Sequence, residues 1–176
     1  MAARDGRSEA NLMNQTTMDR SSGRELVISR AFNGPARIVF DAWTRPELVR
    51  RWWAPQSRDV ALVSCDADVR TGGWYRYVMR HGRHGDMAFS GKYLEVTPNS
   101  RLVHTEVFEP TASGSDEEGA IVTVTFEERD GKTHVVSHSL FPSADVLDAV
   151  IATGMEGGMR ESMDQLDALV GSLVER

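Results

Sequence analysis

Five histidines and a tyrosine-bearing extended segment are the residues with which this chain could do chemistry. His81, His84 and Asp86 form an H-x-x-H-x-D cluster, which offers the right ligand types for a divalent cation. The cluster sits in the glycine-rich run His81-Gly82-Arg83-His84-Gly85, on no rigid element and without a fourth ligand. It therefore reads as a solvated turn, and no metal is assigned. His104 and Glu106, two apart in an extended segment, share one face and could make a carboxylate–imidazole pair. A pocket histidine of that kind can act as a general base or as a hydrogen-bond anchor. His138 lies mid-strand in the same way. The chain contains no G-x-S-x-G, no H-E-x-x-H and no phosphate-cradling loop. Gly72-Gly73 is a tight turn between strands, with no helix N-terminus to bind an anion. No catalytic residue and no cofactor are assigned.

The tyrosines give a firmer pattern. From Trp74 to Arg80, Tyr75, Tyr77 and Met79 alternate with Trp74, Arg76, Val78 and Arg80. The arginines need solvent or partners, so the Tyr/Tyr/Met side is the inner face. The same alternation turns Val122, Val124 and Phe126 inward. Both faces of Thr133 to Phe141 mix polar and apolar residues, so its inner face stays open.

These segments need a scaffold. A first strand is predicted over Glu25 to Phe32, ended by Asn33-Gly34-Pro35. One helix follows to about Trp43. A second is predicted to start from a Thr44/Glu47 capping box and to end near Trp53, because Pro55 disfavours helix at Ala54. Six further strands are expected over Arg58 to Cys65, Trp74 to Arg80, Met87 to Val96, Arg101 to Phe108, Ala120 to Glu128 and Thr133 to Phe141. Their short connections imply an antiparallel meander. Thr111 to Gly119 reads as a mobile loop. A last helix is expected from Ser143 to Val174, capped by Ser143. Gly154, Gly157 and Gly158 lie inside it, each less favourable than alanine by about 1 kcal/mol. Three in five residues require a bend, a close approach or space for a ligand.

The 176 residues suit one domain, residues 25–174, preceded by a tail over residues 1–24 in which Met13 and Met18 are further possible starts. The formal net charge of −6 argues against a nucleic-acid partner. No apolar run is long enough to span a bilayer, so no membrane insertion is expected. Cys65 stands alone, which excludes an internal disulfide and fits a reducing cytoplasm, where a small strand residue is the simplest role. Arg45, Arg50 and Arg51 make a basic patch that reads as a solvated face.

At this point the sequence resembles a known group. Arg30-Ala31-Phe32, Pro35, Val39-Phe40, Ala42-Trp43-Thr44, Pro46-Glu47 and Trp52-Trp53-x-Pro55 are similar to the opening signature of the Hsp90-ATPase-activator-homologue-like family. That family belongs to the START/Bet v 1-like, or SRPBCC, superfamily. Further matches are Asp68-x-Arg70-x-Gly72-Gly73, Met79, Gly91-x-Tyr93-x-Glu95-Val96, Pro98, Arg101-Leu102 and Val122 to Phe126. The likeness runs from about Glu25 to Leu173.

The resemblance implies an α+β helix-grip fold: a curved antiparallel sheet of six or seven strands around a long C-terminal helix, with two short helices after strand 1 and a cavity between sheet and helix. Many relatives carry Gly-Trp in the last helix where this chain has Gly158-Met159, which implies a reshaped cavity. Chaperone activation is not implied, since in the eukaryotic co-chaperone a separate N-terminal domain binds the chaperone. No catalytic residue is shared across the superfamily, and none is carried over.

The expected function is binding of a small hydrophobic, aromatic or amphipathic molecule in that cavity. The expected lining is Trp53, Tyr75, Tyr77, Met79, Phe89, Tyr93, His104, Phe126, Met155 and Met159. The alternatives are a polyketide cyclase or hydrolase using a pocket histidine, and a co-chaperone-like interaction module or homodimer.

Overall fold

The computed structural model of the chain describes residues 14–109 and 119–176. Eight antiparallel strands form one open sheet. They are β1 (Thr17–Arg20), β2 (Glu25–Phe32), β3 (Val60–Asp68), β4 (Trp74–His81), β5 (Gly85–Thr97), β6 (Arg101–Glu109), β7 (Ala120–Arg129) and β8 (Lys132–Leu140). The order across the sheet is β1-β2-β8-β7-β6-β5-β4-β3, so β1 and β3 are its edges. Two short helices, α1 (Ala36–Thr44) and α2 (Pro46–Val49), link β2 to β3, and α3 (Ala144–Ala152) and α4 (Met155–Val174) close the chain.

Strand β1 corrects the sequence reading, which placed residues 17–20 in a tail. Thr17 to Arg20 pair with Ser29 to Leu26, and this adds an eighth strand. Its burial is slight, so no hydrophobic pattern announces it. The rest of the tail up to residue 13, and most of the loop predicted over Thr111 to Gly119, lie outside the described residues.

The expected capping box does not form. Thr44 is the buried last residue of α1, and its hydroxyl donates back to Phe40 O at 2.8 Å. Glu47 instead accepts from Arg45 Nε at 2.8 Å. Helix α2 ends four residues before Trp53, at Val49, because Trp52 and Trp53 both direct their N–H to Val49 O in a tightened turn. That turn sends the Trp52 indole inward, where Nε1 donates to Ala42 O at 2.8 Å.

The predicted single last helix is two. Gly154, with φ at 75°, breaks it between α3 and α4. This left-handed geometry is one that glycine alone adopts without strain. Ser143 caps α3 by accepting from Val146 N, as its residue type predicts. In α3 only Leu147 is buried, whereas α4 buries Ser162, Met163, Leu166, Leu169 and Val170.

The core fills the space between the sheet's inner face and α1, α2 and α4. Its fully buried members include Phe32, Val39, Val49, Trp52, Leu102, Val124, Leu166 and Val170. Each large apolar side chain removed from water in this way contributes roughly 1.5–3 kcal/mol. Among the described residues, no helix is long and apolar enough to cross a membrane.

Candidate functional site

Strands β4, β5 and β6 present the inner face on which the predicted residues converge. The register sets Tyr75 opposite Gly91, Tyr77 opposite Phe89, and Tyr93 opposite His104. Tyr75, Tyr77, Tyr93 and His104 are all buried. Ring centroids separate Tyr75 from Tyr77 by 5.1 Å, from Tyr93 by 5.7 Å and from His104 by 5.1 Å. Gly91 makes this possible: a Cβ there would come within 1.8 Å of Thr105 O and 2.7 Å of the Tyr75 ring. The tyrosine lies where a side chain on the neighbouring strand would stand.

Trp53 forms the other wall. Its ring centroid lies 5.0 Å from Tyr77 and 6.1 Å from Phe89. Phe89 in turn meets Phe108 at 5.0 Å. The loop that carries Trp53 is tied to α4: Ser162 Oγ donates to Trp53 O at 2.8 Å, and Gln165 donates to Trp52 O and Ala54 O at 2.9 Å. Pro55 and Arg58 lie against Gly158, and Arg58 against Gly157, where a Cβ would meet its guanidinium at 2.3 Å. The three helix glycines thus serve one bend and one close approach.

Polar groups are carried into this aromatic cluster. Tyr75 donates its hydroxyl to Thr105 O at 3.1 Å and to Glu106 Oε1 at 3.3 Å. His104 Nδ1 lies 2.9 Å from the same Thr105 O. The carboxylate–imidazole pair foreseen between His104 and Glu106 is replaced by these separate contacts. Tyr77 and Tyr93 lie close enough to influence one another's ionisation. Burial pushes the tyrosine pKa values up, Tyr93 to about 12 and the other two further. At neutral pH these phenols are hydrogen-bond donors, not bases.

Other predicted residues stand elsewhere. Phe126 is buried but belongs to a neighbouring group, 5.3 Å from Phe40 and 5.9 Å from Trp43. Met159 is partly buried against the core, while Met79 and Met155 are half-buried at its margin. His138 pairs with Glu25 at 2.9 Å on the outer face. His81 and His84 stack at 4.6 Å, and Asp86 is taken by Arg80 at 2.7 Å. Among the described residues, no group of three metal-ligating side chains is present. Cys65 is buried, and burial raises its thiol to about 11, so it is unreactive at neutral pH.

Among the described residues, the expected open cavity is not seen at this interface. A void of about 10 Å³, lined by Ile28, Arg30, Phe32, Trp43, Ser137 and Met163 among others, lies between sheet and helices. It has room for about one water molecule. A larger groove of about 590 Å³ lies on the opposite, outer face of β3–β5, floored by Val78 and Ala88 and flanked by Arg76 and Arg80. Those arginines pair with Glu109 and Asp86.

Arg30 and Ser137 were not foreseen as site residues. The signal for Arg30 was its position: Leu26, Ile28 and Phe32 share its face, so an arginine there has to be buried. Ser137 had none, because both faces of its strand looked alike.

Sheet, paired short helices and closing helix together define an α+β helix-grip domain with an aromatic, hydroxyl-bearing interior. The chain belongs to the Activator of Hsp90 ATPase homolog 1-like protein family, whose model matches residues 33–171. Solved structures share the fold. A crystal structure of a Rhodobacter sphaeroides protein is 23% identical, with a TM-score of 0.78 over 90% of this chain and 99% of that one. One from Mycobacterium smegmatis is 24% identical, with a TM-score of 0.75 over 88% and 96%. A solution structure of a Staphylococcus epidermidis protein is 28% identical, with a TM-score of 0.73 over 91% and 96%. No curated protein matches the chain.

Proposed function

We propose that this protein binds a small hydrophobic or amphipathic molecule between the inner face of β4–β6 and the N-terminal half of α4. One observation carries the reading: all three tyrosines of the chain, with His104 and Glu106, turn into the interior beside Trp53 and Phe89. A purely structural core gains nothing from burying so many polar groups, which lose hydration unless every one is paired. A ligand site has use for them, since apolar walls with a few fixed donors are how small molecules are held. Membership of an SRPBCC-type fold family, whose members commonly bind hydrophobic ligands, supports the same reading.

In this reading the ligand displaces Trp53 and Phe89, which fill the space in the unliganded protein. The loop carrying Trp53 hangs on α4 through side-chain hydrogen bonds, so it can shift without loss of sheet pairing. The setting is a reducing cytoplasm, consistent with the single buried thiol. An enzymatic role is weaker, because the phenols stay protonated and the imidazole is engaged by a backbone carbonyl.

The test is native mass spectrometry and thermal shift with a panel of lipids, polyketides and aromatic compounds, read alongside tryptophan fluorescence. The expected result is a one-to-one complex that raises Tm and shifts Trp53 emission, with the emission change lost in Trp53→Phe. A panel with no stabilising compound and no fluorescence response would remove the proposal.

A further inference from the structure

Arg30 is an arginine held inside the molecule, with 7% of its side chain exposed. Its register partner on β8 is Val135, and Ser137 lies two residues further along the same inner face. The terminal nitrogens are occupied: Nη1 donates to Asp164 Oδ1 at 2.5 Å and to Thr16 Oγ1 at 3.3 Å, and Nη2 lies 3.3 Å from Asp167 Oδ2. The guanidinium also sits 5.6 Å from the centre of the Phe32 ring. Nε is different, for it is buried and has no partner among the described residues. Arg30 and Ser137 both line the void of about 10 Å³ beneath Trp43 and Met163.

A buried N–H on a cation is among the most expensive groups to leave unpaired. A void of this size, bordered by Arg30 and Ser137, has room for one ordered oxygen atom. The charge of that atom follows from the neighbours. The guanidinium already pairs with Asp167 and with Asp164, which is 73% exposed, so no unpaired positive charge is left there for an anion. A carboxylate there would be repelled, and a neutral acceptor would not.

We propose that Arg30 Nε and Ser137 form a seat for one neutral oxygen: a water in the unliganded protein, and the hydroxyl or carbonyl oxygen of an amphipathic ligand when one is bound. The second half rests on the ligand-binding reading above and names the polar end of that ligand; the first half stands without it. The ligand's apolar part would then run from Trp43 towards Trp52 and Trp53, whose ring centroids follow at 5.2 and 5.6 Å intervals.

Two measurements test the seat. A crystal structure of the unliganded protein that resolves ordered solvent is expected to show one isolated water within hydrogen-bond distance of Arg30 Nε. An empty void, or an Nε bonded to protein, would overturn the proposal. In parallel, 1-octanol and octanoate are compared by calorimetric titration at neutral pH against wild type, Arg30→Lys and Ser137→Ala. The alcohol is expected to bind about tenfold more tightly or better. Ser137→Ala, which keeps the guanidinium and its ion pairs, is expected to shrink that preference, and Arg30→Lys to abolish it. An octanoate affinity equal to or above that of octanol overturns the ligand half, as does a preference untouched in both variants. If neither compound nor any of the wider panel binds, the ligand-binding reading falls and the ligand half with it, while the water position alone decides the first half.

Discussion

Two ends of one interface are built from different material. Under the C-terminal half of α4, Leu166, Leu169 and Val170 meet Phe32, Val39, Leu102 and Val124, and nearly every side chain is apolar. Gly34 approaches so closely that a Cβ would come within 2.9 Å of Val170. Towards the N-terminal end of α4, Trp53 intervenes between helix and sheet, and the sheet answers with phenols, an imidazole and a carboxylate. The first end has one way to pack, and its buried Thr133 hydroxyl is satisfied by Gly34 O at 2.7 Å. The second depends on hydrogen bonds among side chains that a bound molecule could also make. Stability and recognition are therefore separated along a single helix, and perturbations should sort the two ends.

The largest expected effect comes from alkali, which acts on the hydroxyl-bearing end alone. In the folded protein the tyrosine pKa values lie above the ordinary 10.0, Tyr93 at about 12 and the other two higher, chiefly through burial. Cys65, at the margin of the same end, rises from 9.0 to about 11 for the same reason. A raised folded pKa means that the native state holds the proton more tightly than the unfolded chain. The contribution is complete below the unfolded values, near pH 9 to 10, and is lost as pH climbs towards the folded ones. Tm should stay level up to about pH 9 and fall steeply beyond it. Tyrosinate absorbance should appear in one cooperative step with unfolding. A native protein in which any tyrosine titrates normally near pH 10 would break the distinction between the two ends.

Leu166→Ala probes the dry end. Leu166 is fully buried, and its truncation leaves a hole that the surrounding side chains fill only in part. The expected loss is about 2–5 kcal/mol in urea unfolding. Ligand affinity, measured for any compound the panel yields, should change little, because the residue belongs to the apolar C-terminal half of the interface. A substitution here that weakened binding as much as stability would merge the two ends into one.

Both ends were legible in sequence wherever local signals governed them. Period-two alternation fixed the inward faces of β4 and β7, and proline and glycine punctuation located most strand breaks, because those signals depend on local backbone chemistry. The inner face of β8 was not readable: Thr133, Val135 and Ser137 turn inward only because β2 and β7 fix the register on either side. The split between α3 and α4 was visible as a glycine cluster, yet three remedies fitted it equally well: Gly154 makes the bend, and the close approach at Gly157 depends on Arg58 reaching α4 from a distant turn. The tyrosine cluster itself was foreseen from alternation and from the family signature. What the sequence could not supply was its degree of filling. Whether aromatic rings leave a cavity or close on one another depends on rotamers and on how near Trp53 is drawn to α4, and neither is encoded locally.

The smallest effect is the most discriminating. The Tyr77 and Tyr93 hydroxyls act on one another, which raises the first pKa and lowers the second. Tyr77→Phe removes one hydroxyl of the pair, for an expected loss of about 1 kcal/mol. Tyr93→Phe should act similarly. If the pair is simply a satisfied structural bond, the double variant leaves no unpaired group and should be little worse than either single one, giving a coupling energy of about 0.5–1.5 kcal/mol in the double-mutant cycle. If the hydroxyls exist to hold a ligand oxygen, the double variant should be as stable as this cycle predicts and yet bind more weakly than both single variants. Additive stability losses with unchanged binding would show that the phenols do neither task, and would return the whole inner face to plain core.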